Sequence, residues 1–206
     1  MQVTALLRFA RLHRLWPILA GVILVALLSA FLGGFEIPLP SLDGGAATGI
    51  PFRRDLPLLS GVFLAAAGTS SMHAYERAAG PRYFRLLGVY VLALTVVASL
   101  CSFAVQGLAA GAHTGVSFVR SMLIWFGLAR VSARVIGWNL AWVLPVASVF
   151  PLIWLSDGAW WDWTAAPAAD PVGWGTAAVS LSLGVLLTAA TPWRVRSLLH
   201  SVRRHP

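Results

Sequence analysis

The sequence predicts an all-α integral membrane protein with six transmembrane helices and both termini in the cytoplasm. Three observations carry this prediction. Of the 206 residues, 58% are hydrophobic and only 11% are charged. The apolar residues form continuous runs of about 18 residues or more, which favours spanning helices over the alternating strands of a barrel. Arginine clusters occupy every second connection between those runs, as expected for inner loops.

The apolar runs predict six spans in a single transmembrane domain covering residues 1–206. Their predicted bounds are Leu15–Leu32, Leu56–Met72, Leu86–Val105, Val116–Ala133, Trp138–Leu155 and Trp174–Thr191. The short tails and connections leave no separate soluble domain.

Charge sets the predicted orientation. All 15 basic residues are arginine, and twelve of them fall on the side assigned to the inside, in the tails, the connections and the inner end of the fourth span. Arg53, Arg54 and Arg120 fall outside, together with six of the seven acidic residues; Glu76 is the inner exception. This positive-inside bias predicts a multi-pass protein of the bacterial plasma membrane. The same clusters predict contact with membrane lipids and no nucleic-acid partner, because they lie between apolar spans.

Two connections predict short interfacial segments. The inner loop between spans two and three, "AYERAAGPRYFR" at 74–85, mixes aromatic residues with arginines, as a helix lying in the interface plane does. The outer loop between spans five and six, Ser156–Gly173, carries Trp160, Trp161 and Trp163, and tryptophan favours the headgroup level.

The inner loop has two interpretations. Its arginines can anchor topology by snorkelling, which needs no partner. A lone carboxylate in a basic loop is not needed for topology, however, and this favours a docking site for a cytoplasmic partner.

Arg120 is the anomaly of the fourth span. It lies ten residues before Arg130, about 15 Å along a helix, so backbone position alone cannot bring both to water across a core of about 30 Å. Arg120 either snorkels or faces the bundle interior. In the interior it would line a transport pathway or pair with a carboxylate, for which Asp55 is the candidate.

Known catalytic patterns are absent from the sequence. It contains no Walker A loop, dinucleotide loop or Cys/His metal spacing, so we expect no catalytic site, no metal and no cofactor in this chain. No predicted span carries a carboxylate at mid-depth, which argues against a proton- or sodium-coupled carrier.

Three stretches resemble the permease subunits of small actinobacterial type-2 ATP-binding-cassette exporters. They are "YERAAGPRYFRLLGVYVLAL", "FGLARVSARVIGWNLAWVLP" and "WWDWTAAPAADPVGW". The resemblance implies that the inner loop at 74–85 is a coupling helix seated in a separate ATPase subunit, which binds the ATP. The residues that it implies for this contact are Tyr75, Glu76, Arg77, Arg82 and Arg85. It also implies a homo-oligomer or a second permease chain.

The leading hypothesis is therefore a membrane subunit of an ATP-driven exporter of an amphiphilic cargo, a peptide or a lipid-like metabolite. It would be a transporter subunit without an ATPase site of its own. The alternative is a non-transporting scaffold, immunity or assembly protein whose arginine clusters bind anionic lipid.

Overall fold

A computed structural model describes residues 14–39, 48–68, 81–154 and 161–189, and this part of the chain is mostly helical. Seven α-helices, one 3₁₀ turn and two short strands occur in it. In chain order they are α1 (Leu15–Leu32), β1 (Glu36–Leu39), β2 (Thr48–Pro51), α2 (Phe52–Asp55), α3 (Pro57–Ala66), α4 (Pro81–Ala110), α5 (Ala112–Val135), the 3₁₀ turn (Trp138–Leu140), α6 (Val143–Trp154) and α7 (Pro171–Ala189).

Three helices are long and apolar enough to cross a membrane. Helix α1 has the bounds predicted for the first span, whereas α4 and α5 extend beyond the predicted third and fourth spans. With 30 residues, α4 is about 45 Å long and exceeds the hydrocarbon thickness of about 30 Å. Gly111 alone separates α4 from α5, and its φ of 91° is a left-handed conformation that glycine adopts without strain.

The remaining predicted spans are shorter in the structure. Helix α3 ends at Ala66, and positions 69–72 of the predicted second span lie outside the described residues. The predicted fifth span starts as a 3₁₀ turn after Gly137, which has a φ of 124°. Together with α6 it forms a shorter apolar segment, Trp138–Trp154, and α7 supplies another, Pro171–Leu187.

Helix α5 lies at the centre of the bundle. In the apolar stretch of 18 residues within α5, 61% of the residues are buried, compared with 28% in the corresponding stretch of α1 and 17% in that of α4. It is nevertheless the least apolar of the three long helices and the one that carries Arg120 and Arg130. Its neighbours α1 and α4 bear large apolar side chains that the bundle leaves exposed, such as Phe31, Leu92 and Leu100. The least apolar long helix thus lies inside and the more apolar ones outside, which is the reverse of a water-soluble bundle and suits a bundle surrounded by lipid.

Glycines allow helices to approach α5 closely. A Cβ on Gly61 of α3 would lie 2.7 Å from the backbone nitrogen of Phe126, and one on Gly127 would lie 2.5 Å from the carbonyl carbon of Ser180 in α7. Backbones this close leave no room for a side chain, which is how small residues act in membrane helix packing.

A short hairpin adds two strands to the predicted helices. Strands β1 and β2 pair antiparallel with Glu36 opposite Pro51 and Leu39 opposite Thr48, in the connection that the sequence leaves as a loop. A two-stranded ribbon has two free edges, so it tolerates Pro38 and Pro51, which cannot donate to a ladder. Strands of four residues with these prolines carry too weak a pattern to be predicted.

The helix ends meet at two opposite ends of the bundle. Gly33, Pro57, His113 and Ala168, which lie near the C-terminus of α1, the N-termini of α3 and α5, and the start of α7, line one cleft. We call this the hairpin end. At the other end, Arg134 Nε donates to the carbonyl of Leu187 at 3.0 Å. Consecutive long elements therefore run in alternating directions.

Candidate functional site

A cleft of about 730 Å³ opens at the hairpin end. Its walls come from the end of α1, β1, α2, the first turns of α3 and α5, and the segment 164–168. The polar side chains among its lining residues are Glu36, Arg53, Arg54, His113, Thr114, Ser117, Ser121 and Thr164. Apolar lining comes from Pro57, Phe118 and Pro167. A cavity of this size with mixed lining falls in the range of sites for small organic molecules, roughly 300–1,000 Å³.

Arg54 and Asp162 close one side of the cleft. Arg54 Nη2 lies 2.7 Å from Asp162 Oδ2 and also donates to the carbonyl of Leu152 at 2.9 Å. Its Nε donates to the hydroxyl of Thr164. The other carboxylate oxygen of Asp162 accepts from the backbone N–H of Thr164 at 3.1 Å and of Ala165 at 3.2 Å. The pair thus fixes the 161–170 segment against α2 and α6.

Arg120 holds the same segment from within α5. The side chain is fully buried, and its guanidinium donates to three backbone carbonyls, those of Pro167, Trp163 and Ala166, the last two at 2.7 and 2.8 Å. These bonds satisfy both terminal nitrogens of the guanidinium and three carbonyls of a non-helical segment, whereas Nε is buried with no partner among the described residues.

Tryptophans of the 161–170 segment pack inward. Trp163 meets the fully buried Trp125 of α5 edge-on, with ring centroids 5.8 Å apart, and Trp161 packs in the same cluster with Leu58 and Leu152. The predicted interfacial loop is therefore, over its described part, a segment docked on the bundle. Trp160 lies outside the described residues.

The start of α7 is built around Arg120. Asp170 caps the helix: its Oδ2 accepts from the backbone N–H of Gly173 at 2.6 Å, and Pro171 occupies the first helical position. A Cβ on Gly173 would lie 3.0 Å from Arg120 Cζ, so glycine lets the helix reach the guanidinium. The carboxylate of Asp170 offsets part of the buried charge of Arg120.

Asp55 does not form the predicted pair with Arg120. The guanidinium of Arg120 is occupied by carbonyls, and Asp55 Oδ1 is a buried atom with no hydrogen-bond partner among the described residues. Burial raises the pKa of Asp55; neighbouring Arg54 lowers it and Asp162 raises it further. Arg120 is buried rather than snorkelled, because the 161–170 segment covers the end of α5.

Arg53 is a cation of the cleft that forms no ion pair among the described residues. Its side chain lines the cleft beside Gly33, where a Cβ would lie 2.5 Å from Arg53 Nε. That Nε is buried and has no hydrogen-bond partner among the described residues. Arg54, its neighbour in sequence, has its charge paired with Asp162.

The predicted coupling residues divide between described and undescribed parts of the chain. Tyr75, Glu76 and Arg77 lie outside the described residues. Arg82 lies in the first turn of α4, and the exposed Arg85 follows one turn later. Here the loop has already become helix, because Pro81 occupies the first helical position, where its missing N–H costs nothing.

Sequence reasoning missed several residues of the cleft. The N-cap signal of Asp170 followed by Pro171 was present and could have been used. Arg53, Arg54 and Asp162 carried no such signal, because charges in loops are normally solvated. Ser117 and Ser121 are four apart on α5 and share a face, but nothing in their spacing indicates a cleft.

Comparisons with protein-family models, curated proteins and solved structures find no match to this chain. Within the described ranges, no three His, Cys, Asp or Glu side chains come together in a way that could hold a metal ion. The cleft itself offers guanidinium groups, a carboxylate, an imidazole, hydroxyls and an apolar wall.

Proposed function

We propose that this chain is the membrane subunit of an ATP-driven exporter of an amphiphilic cargo, a peptide or a lipid-like metabolite, with the ATPase on a separate chain. The observation that carries the proposal is the cleft at the hairpin end. It places polar groups and an apolar wall together beside the central helix, and a cargo with a polar head and an apolar body needs both.

A six-span topology with both termini in the cytoplasm belongs to this proposal. The alternating directions of α1, α3, α4, α5, α6 and α7 support it, as does the arginine bias of the sequence. In this orientation the cleft faces outward and the 74–85 loop faces the cytoplasm. The exposed apolar side chains of α4 then contact lipid, a second copy of the chain or another permease chain.

The structure suggests how an ATPase would act on the cleft. Helix α4 runs without interruption from Pro81, beside the proposed coupling residues, to Ala110, and only Gly111 joins it to α5. His113 and Thr114, in the first turn of α5, line the cleft. A push on the 74–85 loop would therefore be carried along one rigid helix to the wall of the cleft.

Replacing Glu76 and Arg77 together by alanine tests this coupling. We expect the variant to fold and bind the ATPase partner weakly, with loss of transport. The matched control replaces Asp43 and Arg134 by alanine, which removes the same two charges outside the loop and should leave ATPase association intact. Normal transport by the Glu76 and Arg77 variant would reject the docking role of the loop.

Isolation from native membranes provides the broader test. An exporter subunit should co-purify with a nucleotide hydrolase and change its turnover. A chain that binds anionic lipid but carries no hydrolase would instead fit the scaffold, immunity or assembly alternative. Labelling that finds Glu76 on the outer side of the membrane would contradict the orientation.

A further inference from the structure

We propose that the cleft binds an amphiphile through an anionic head group, a carboxylate or a phosphate ester, with Arg53 as the group that recognises the charge. This proposal specifies the chemical class of the cargo, and to that extent it rests on the proposed function. The binding site itself needs no ATPase, so the two can fail separately.

The first argument is the state of the two adjacent arginines. Arg54 is held by Asp162, Leu152 and Thr164, so its donors are occupied by the fold. Arg53 has no such acceptor among the described residues, and its Nε is buried. Nε is closed to the cleft, but the Arg53 side chain lines it and no described carboxylate pairs with its charge, so that charge is available to a ligand oxyanion.

The second argument is that the Arg53 side chain is held in place. Gly33 packs directly against it, because a Cβ there would lie 2.5 Å from Nε and 2.9 Å from Cζ. The C-terminus of α1 favours a nearby cation, which explains the position of the Arg53 guanidinium but gives its charge no carboxylate partner. An arginine fixed before binding loses less side-chain entropy when it meets an oxyanion.

The third argument concerns the part of the wall formed by α5. Ser117 and Ser121, four residues apart on one face of α5, line the same cleft together with the apolar Phe118. Hydroxyls add donors for an oxyanion, and Phe118, Pro57 and Pro167 offer apolar contact to a chain.

Charge selects the head group. Arg53 is half-buried in the wall, whereas the carboxylate of Glu36 is exposed where it lines the same cleft. Water screens an exposed charge more than a partly buried one, so the net preference of the site is for an anion. An amine on the same head could contact Glu36 without displacing the oxyanion from Arg53.

The experiment titrates the full chain in neutral detergent with four soluble probes by calorimetry: hexyl phosphate, hexanoate, hexyltrimethylammonium and inorganic phosphate. We expect both anionic amphiphiles to bind at least about tenfold more tightly than the cationic one, since a charge-assisted hydrogen bond is worth about this factor. Inorganic phosphate should bind more weakly than hexyl phosphate; equal affinity would mean that only a free anion is recognised and would overturn the amphiphile assignment.

Arg53→Gln should weaken hexyl phosphate binding by about tenfold or more, and Arg53→Lys should retain part of the affinity. The matched control is Arg85→Gln, which removes one exposed positive charge on α4 and should leave binding unchanged. Equal binding by Arg53→Gln and wild type, or equal loss in both glutamine variants, would overturn the proposal.

If Arg53→Gln fails to fold, two other measurements test the proposal: the preference of the wild type for anionic over cationic probes, and the binding of hexyl phosphate by Ser117→Val. This variant should bind hexyl phosphate several-fold more weakly while keeping the preference for anions. A wild-type chain without that preference would overturn the site. A chain that binds the anionic probes yet has no ATPase partner would overturn the exporter and keep the site.

Discussion

Arg54 and Asp162 form an ion pair of 2.7 Å between positions 108 residues apart. The carboxylate is almost fully buried and the guanidinium is 20% exposed. Asp162 also organises its own turn through the backbone of Thr164 and Ala165. The pair therefore connects α2, just before α3, to the segment that covers Arg120. The ion pair and the turn at 162–165 both depend on the side chain of Asp162.

Asp162→Ala should destabilise the protein by about 3 kcal/mol, because it leaves Arg54 without its carboxylate and the turn without its acceptor. Asp162→Asn keeps an oxygen for the turn and should cost less. The free energy of unfolding is measured by sodium dodecyl sulfate denaturation in mixed micelles, followed by tryptophan fluorescence. Equal losses in the two variants would show that the turn contributes nothing beyond the charge.

Arg120→Lys should be destabilising despite the retained charge. A single ammonium cannot reproduce the fork that reaches the carbonyls of Trp163, Ala166 and Pro167, so we expect a loss of about 2 kcal/mol or more. Hydrogen exchange in residues 161–170 should rise in the same variant. Arg134→Lys, at an exposed site with a bond to Leu187, is the control and should change stability by less than about 1 kcal/mol.

Gly127→Ala should separate α5 from α7. The new Cβ would lie 2.5 Å from a backbone carbon of Ser180, and backbone cannot move aside as a flexible side chain can, so we expect a loss of about 3 kcal/mol. Gly175→Ala, on α7 itself, meets no atom within 4 Å and should be neutral or stabilising by up to about 1 kcal/mol. Similar unfolding free energies for both variants would contradict the close approach.

The sequence predicted the elements whose signal is local. The bounds of α1 coincide with its apolar run, because lipid-facing helices reveal themselves by composition alone. Gly61, Ser180 and Gly184 all lie against α5, and nothing in their local sequence identifies that partner. The extensions of α4 and α5 were not predicted, since residues such as Gln106 lower the hydropathy without ending a helix.

The candidate site was predicted only in part, for a physical reason. Arg120 stood out because a cation in an apolar run is anomalous. Its partners could not be found, because they are backbone carbonyls 43 to 47 residues away and every residue has a carbonyl. Arg53 and Asp162 were hidden because charges in connections are normally solvated, and only the tertiary fold brings them to a cleft.

Asp55 should make stability depend on pH. Burial raises the pKa of its carboxyl above the ordinary value of 3.8, and the folded protein therefore holds the proton more tightly than the unfolded chain. Between these two pKa values the folded state binds more protons, so stability falls as pH rises through that window and the ionised carboxylate is a cost above it. Removing the charge with Asp55→Asn should raise stability at neutral pH and flatten the dependence.

The measurement is the midpoint of thermal unfolding in neutral detergent, from pH 3.8 upward to neutral pH. Wild type should lose stability across the acidic part of this range relative to Asp55→Asn, and the two curves should converge at its lower end. Glu36→Gln removes an exposed carboxylate at the same end of the bundle and should follow wild type. A wild-type curve parallel to that of Asp55→Asn would mean that the carboxyl is not desolvated, because burial is the largest of the causes that favour its neutral form.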